Sequence, residues 1–387
     1  MKIIYFLLIN LFYYSQVLAA PSLTNASGSF AEDGTVIISG AGFSTNSAVG
    51  TANLQWMKDN IESGTTDQLF SGGDGWSMTT PDADTVGVYY DNTQAHSGTQ
   101  SLSATYVGGV KENGSIQYTP GSGMVSVFIS AWVRGHRETD SEGQWKIIRV
   151  ANTGNPAGTD PLFYFANWNV AAATHWGLFI YGNGIDARTE ETISSGYTPG
   201  GGSNTHWDEW VRVDMYGIFS DCGTANGTLQ YTFQEPGVII TTPVNHNGDV
   251  MTCGSGETDT WLYTIFGHYA GDGHNGLTTY YDDVFIQVGT QARVEIGDAS
   301  TWATCTHREI QPPTAWADGE ITITANVGSF QDGDHIYLYV VDATGAVNAD
   351  GYDLGILGAE TNVTKQHVGY SSTGRRWGYS STGVSVQ

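Results

Sequence analysis

Short segments that alternate between apolar and polar residues, cut at close intervals by Gly, Asn, Asp and Pro, constrain this chain more than any other feature. Strand signals fall at 35–39, 124–134, 144–150, 162–165, 176–181, 210–216, 261–269, 280–288, 320–325 and 335–342. A period of two places successive side chains on opposite faces, which suits a pleated strand and not a helix. Only 54–61 has helical character, so the pattern predicts an all-β fold of antiparallel sheets. The 51 glycines in 387 residues supply the turns, and 12 Trp, 21 Tyr and 14 Phe supply more apolar surface than a disordered chain carries.

With 14 Lys and Arg against 39 Asp and Glu, the formal charge is −25. Nucleic-acid binding through a basic surface is therefore excluded. Residues 1–20 open on Lys2, continue through an apolar run and end in Val17-Leu18-Ala19-Ala20 before Pro21, the layout of a secretory signal. A retained anchor helix is the alternative, but the run is interrupted and short for a bilayer. After removal of the signal no segment spans a membrane, so the expected location is secreted or cell-surface. Three cysteines in an exported chain suggest one pair and one leftover. Cys222 and Cys253 flank a hairpin that turns at 234–237 and are the expected disulfide, with Cys305 free and buried; three reduced thiols are the alternative.

The two ends of the chain are informative together. Asp33-Gly34-Thr35-Val36-Ile37-Ile38-Ser39-Gly40-Ala41-Gly42-Phe43 resembles the opening strands of the IPT/TIG immunoglobulin-like domain. Two strands bury too little apolar area to stand alone. Segments 292–297, 309–313, 320–326 and 337–342 look like the missing later strands. The expected organisation is one discontinuous Ig-like domain, 21–48 plus 290–357, interrupted by an inserted domain at 49–289. Two separate end modules are the alternative. Gly73-Asp74-Gly75-Trp76, His96-Ser97-Gly98-Thr99-Gln100-Ser101-Leu102 and Tyr280-Tyr281-Asp282-Asp283-Val284 make the insert resemble concanavalin-like jelly rolls of polysaccharide-binding modules and lyases. The tail, 358–387, is polar, repeats Gly-Tyr-Ser-Ser-Thr-Gly and is expected to be flexible.

Within the insert, alternation puts Trp210, Arg212, Asp214 and Tyr216 on one face of a strand and Val211, Val213 and Met215 on the other. The strand holding Phe128, Ser130, Trp132 and Arg134 repeats the pattern. Aromatic rings stack on the C–H faces of sugars, while Arg and Asp take hydroxyls in directional bonds. Trp132, Trp210, Arg212, Asp214 and Lys146 are therefore candidate saccharide contacts, against the plainer reading of aromatic residues packed under a loop. Seven of the 14 basic residues, Lys111, Arg134, Arg137, Lys146, Arg149, Arg188 and Arg212, fall in one stretch, which allows a positive groove for a uronate polymer. The resemblance to lyases implies β-elimination, with Arg212 or Arg134 neutralising the carboxylate and Tyr216, His136 or His206 moving the proton. The same resemblance implies a structural calcium held by Asp282 or Asp283, with Asp74 a further candidate; alternation puts Asp282 on the inward face with Val284, Ile286 and Val288. The plainer alternative is Asp capping backbone N–H groups. Glu138-Thr139-Asp140-Ser141-Glu142 has the spacing of jelly-roll endoglucanase carboxylates but polar spacers, and His268, Asp272 and His274 lack zinc-ligand geometry. The leading expectation is an exported protein that binds an extracellular polysaccharide on an open jelly-roll face. A uronate lyase and a self-associating adhesin or filament subunit follow.

Overall fold

The computed structural model describes residues 19–73, 75–79, 87–105, 112–120, 123–136, 143–151, 162–170, 173–181, 207–255, 261–270, 277–358, 369–370 and 376–377. These residues form a large and a small β sandwich. The large one stacks an eight-stranded sheet on a six-stranded sheet, both antiparallel. The eight-stranded sheet runs through Thr241–Val250, Gly227–Gln234, Trp210–Ile218, Ser126–His136, Thr278–Val288, Ser101–Thr105 and Tyr89–Asp91, with Leu54–Trp56 also paired to Thr278–Val288. The six-stranded sheet is ordered Ala173–Tyr181, Leu162–Val170, Gly143–Ala151, Tyr263–Ala270, Glu112–Tyr118 and Trp76–Thr79. Between the sheets lies a dry core that includes Val127, Ile129, Ala131, Val133, Val211, Val213 and Met215 from one side and Ile116, Ile148, Val150 and Phe266 from the other. Apolar alternation thus gives each sheet one buried face, as the pattern predicts.

The small sandwich takes its strands from both ends of the chain. Thr35–Ala41 pairs with Glu320–Thr324, so residues nearly three hundred positions apart lie side by side in one sheet. That sheet also holds Ser22–Gly28 and Pro313–Ala317, and its partner sheet is ordered Arg308–Gln311, Arg293–Gly297, His335–Val341 and Tyr352–Ile356. Val36, Ile38, Val294, Ile296, Ile321, Ile323, Leu338 and Val340 fill the space between them. The fold is a jelly-roll sandwich inserted into a discontinuous Ig-like sandwich. The two crossings of the chain are fastened to each other: Asn46 Nδ2 donates to Gln287 Oε1 and to the Ala292 carbonyl, each at 2.8 Å, and the Val288 N–H donates to the Asn53 carbonyl.

Helical character at 54–61 resolves differently from the expectation. Leu54–Trp56 is a strand, and the helix is the single short turn Lys58–Glu62. The apolar residues of the first part are taken by the sheet edge, and the Ile61 N–H reaches back to the Met57 carbonyl. Cys222 and Cys253 form a disulfide across the hairpin Gly227–Gln234 and Thr241–Val250, and Cys305 is free and buried. No helix among the described residues is long and apolar enough to cross a membrane.

Candidate functional site

The outward face of the eight-stranded sheet carries the side chains that alternation assigns to it, in register: Arg212 beside Trp132, Asp214 beside Ser130, and Tyr216 beside Phe128. It is not an open face. Strands Arg293–Gly297 and Arg308–Gln311 of the Ig-like sandwich lie over it, and Trp132, Arg212, Asp214 and Tyr216 are all buried. Phe128, Tyr216, Phe285 and Ile310 form a small apolar cluster at this junction. Pattern alone shows that a face is not part of its own sandwich's core, but not that a second sandwich covers it. The saccharide floor expected at Trp132, Arg212 and Asp214 is corrected to an interface between sandwiches.

Arg212 sits at its centre. Its guanidinium takes both carboxylate oxygens of Asp214, at 2.9 and 3.0 Å, donates to Ser130 Oγ at 3.0 Å, and reaches Glu295 Oε2 at 3.0 Å and the Arg308 carbonyl at 2.8 Å. Burial alone would lower its pKa, but Asp214 and then Glu295 outweigh burial and hold it above the ordinary arginine value. For Glu295 burial acts upward, and the charges of Arg212, Arg293 and Arg308 overcome it, so the carboxyl lies well below the usual carboxylate range. Arg212 therefore serves as a paired structural cation, unavailable to a substrate carboxylate. Tyr216 is pushed up by burial, so its phenol is harder to ionise and less of the phenolate base is present at neutral pH.

A β-bulge decides where the two aspartates point. The register against Ser126–His136 slips between Asp282 and Phe285, and Asp283 takes a φ of 45°, a conformation that Asp tolerates better than most residues. The extra residue puts Asp282 opposite Trp132 on the outward face, where strict alternation would have aimed it inward. Asp282 Oδ2 accepts the N–H groups of His96 and Ser97, and Oδ1 accepts the Asp283 N–H. Asp283 meets His96 Nδ1 at 2.8 Å and the Ser97 hydroxyl at 3.0 Å. Burial first, and then the adjacent Asp283 charge, raise Asp282 well above its ordinary value, while the backbone donors oppose them. These carboxylates face N–H and O–H donors, whereas calcium requires a shell of six to eight oxygens. The residues present do not fit calcium; they hold the 91–100 loop by capping its backbone. Asp74 lies outside the described residues.

At the rim, Arg134 Nη2 and His136 Nδ1 both meet Asp208 Oδ1, at 3.2 and 2.7 Å. Trp210 lies edge-on to His96 and Tyr280. Arg134, His136 and Asp208 are partly exposed while the His96 ring is buried, and the structure gathers them at one end of the covered face rather than around an open groove. His206, the 138–142 segment, Asp272 and His274 lie outside the described residues, as does most of the 358–387 tail.

The jelly roll's other outward face belongs to the six-stranded sheet; Ser77, Gln117, Lys146 and Tyr263 on it are partly or fully exposed, while Arg149 and Ile265 at its centre are buried. Lys146 and Arg149 are three residues apart, which by alternation would put them on opposite faces. A bulge at Ile147 brings them together: Phe165 pairs with Ile148 and Ala166 with Lys146, with no partner for Ile147. Ile147 and Ile148 are consequently both in the core. Arg149 lies in one cross-strand row with Tyr164, Ile265, Gln117 and Ser77, and partly exposed Tyr263 is two positions from Ile265 on the same face. Gly267 leaves the room that Arg149 needs, since a Cβ there would stand 2.8 Å from a guanidinium nitrogen and 2.4 Å from the Ser115 Cβ. The sequence reading counts Arg149 among the clustered bases without giving it a role, because the bulge that pairs it with Lys146 has no mark in the alternation.

No protein-family model matches the chain, and no curated protein matches it. Among solved structures, the chain is similar to the alginate lyase Aly36B, with 15% identity over 61% of this chain and 96% of that one and a TM-score of 0.46. It is also similar to a PL-14 alginate lyase from Aplysia kurodai, with 12% identity over 52% and 87% and a TM-score of 0.40. For the cellulose induced protein Cip1 the values are 18% identity, 59% and 94%, and a TM-score of 0.32. These are likenesses of fold.

Proposed function

We propose that this chain is an exported protein that binds an acidic extracellular polysaccharide of the uronate class on the outward face of the six-stranded sheet. The observation that carries the reading is the division of the jelly roll's two outward faces. One is sealed by the Ig-like sandwich. The other carries half-buried Lys146, with Arg149 buried on the same side, in a chain of strongly negative charge. A local positive site within a negative surround draws a polyanion to one place, and the Lys146 ammonium takes a carboxylate in a charge-assisted bond. The Ig-like sandwich then serves as a rigid platform. Calcium at Asp282 and Asp283 has no part in this reading. Cleavage of the same polymer by β-elimination, which needs a cation on the carboxylate and a group beside it to move the proton, is the second reading.

Retardation in native gels cast with alginate or another polyuronate tests binding. Wild-type protein should be retarded, Lys146→Ala should weaken retention several-fold at an unchanged melting temperature, and Trp210→Ala should leave it alone. If no polyuronate slows the chain, or if Lys146→Ala behaves as wild type, the reading fails. Cleavage creates an unsaturated chain end with new ultraviolet absorbance, and a flat trace across several uronate polymers would dismiss the lyase reading while leaving binding intact.

A further inference from the structure

Three metal-ligating side chains outside the six-stranded face converge where the two sandwiches meet. His96 comes from the 91–100 loop of the jelly roll, while His307 and Glu309 come from the Ig-like sandwich at the strand Arg308–Gln311. One ligand atom from each lies within 4.8 Å of the others. His96 Nε2 is 3.5 Å from Glu309 Oε1, and His307 Nε2 is 2.6 Å from the same oxygen.

The surroundings of each group set the atom it turns toward the others: His307 Nε2 also meets the Ser329 hydroxyl at 3.2 Å, and Glu309 Oε1 accepts the Ser329 N–H at 3.3 Å. His96 Nδ1 is 2.8 Å from Asp283 Oδ2, and a carboxylate only accepts, so the proton sits on Nδ1 and the Nε2 lone pair is left to face Glu309. The His96 side chain is 3% exposed, and its Nε2 makes no hydrogen bond. A buried lone pair aimed at a carboxylate calls for a cation between them. Glu309 Oε2 accepts the Trp132 indole N–H at 2.9 Å, which turns Oε1 toward the two imidazoles. Both rings are clamped: His96 stacks on Trp132 at a centroid distance of 3.7 Å, and His307 stacks on Phe330 at 4.1 Å.

We infer that His96, His307 and Glu309 form a zinc-class metal site that staples the jelly roll to the Ig-like sandwich. Two imidazole nitrogens and one carboxylate oxygen suit a borderline divalent ion such as Zn²⁺, with water as the fourth ligand. Bonds of about 2.0–2.2 Å in tetrahedral geometry set ligand atoms roughly 3.3–3.6 Å apart. The His96 to Glu309 separation already matches, and the His307 to Glu309 contact opens by less than an ångström or so. Asp283 on His96 Nδ1 is the carboxylate partner that fixes tautomer and ring orientation in histidine metal sites. The His307 side chain, 24% exposed, marks the route of entry.

Chelator-stripped full-length protein titrated with ZnCl₂ against a chromophoric chelator tests the site, with Co²⁺ substitution as an independent readout. The wild-type chain should take up one Zn²⁺, gain melting temperature on binding, and give the intense visible bands of tetrahedral Co²⁺. His307→Ala and His96→Ala should each lose stoichiometric binding and those bands. Asp283→Asn, which tolerates the positive φ, should weaken affinity about 10–100-fold. Should His96→Ala fail to fold, His307→Ala decides, because its side chain reaches the surface. Absence of stoichiometric uptake, or uptake unchanged in folded His307→Ala, would overturn the site and leave a doubly protonated His96 held between Asp283 and Glu309.

Discussion

Arg212→Ala should lower the stability of the folded chain by about 3–5 kcal/mol, the usual consequence of removing one partner from a buried ion pair. The side chain is fully enclosed, and its loss strands Asp214 on the jelly roll and takes from Glu295 the cation that ties it across the junction, leaving it Arg293 and Arg308 on its own sandwich. Ser130 and the Arg308 carbonyl lose their donor as well. Chemical denaturation measures the drop, and the material that stays folded should bind polyuronate as the wild type does. A substituted protein of near-native stability that had lost its glycan would restore Arg212 to a binding role. Arg212→Lys should recover only part of the stability, because a single ammonium cannot bridge both oxygens of Asp214 while reaching Glu295.

The same cluster should make the protein acid-labile over a defined window. Glu295 has a folded pKa depressed by Arg212, Arg293 and Arg308 against the upward push of burial, so its stabilisation is fully present above the unfolded value of about 4.3. As pH falls below that value the unfolded chain takes up the proton first, and stability declines until the folded carboxyl also titrates. Protonation then leaves three guanidiniums grouped around a neutral acid. The difference in unfolding free energy between the wild type and Glu295→Gln should be constant from pH 7 to about 5 and shrink steeply in more acid solution, by several kcal/mol in all. Glu295→Gln should start lower and show a shallower decline. Equal slopes in the two proteins would place the acid sensitivity elsewhere.

The strand pattern revealed most of the architecture because both sandwiches bury one face of every sheet, and burial is what alternation records. Val127, Ile129, Ala131 and Val133, with Val211, Val213 and Met215, point inward as their spacing requires. That the strands near 35–41 and 320–324 belong to one domain followed from a different argument, that two strands alone cannot bury enough area to fold. Two bulges escaped notice. One at Asp283 turned Asp282 outward, and one at Ile147 gathered Lys146 and Arg149, because an extra residue reverses parity without changing composition. The covering of Trp132 and Arg212 was hidden for a related reason. A polar face packed against another domain through Arg–Glu pairs has the same composition as a face turned to solvent. Charge complementarity was the available signal: Arg293 and Glu295 alternate with Val294 and Ile296 on a strand that has its own core to fill, and Arg308 and Glu309 stand side by side on the next.

Hydroxyl-radical footprinting of the intact chain, with and without an alginate oligosaccharide, measures most directly which outward face is sealed and which receives the glycan. Trp132 and Tyr216 should oxidise slowly in the free protein and not respond to sugar, while Tyr263 should react readily and become protected. Rapid oxidation of Trp132 and Tyr216 that the oligosaccharide suppresses, with Tyr263 unaffected, would contradict the account.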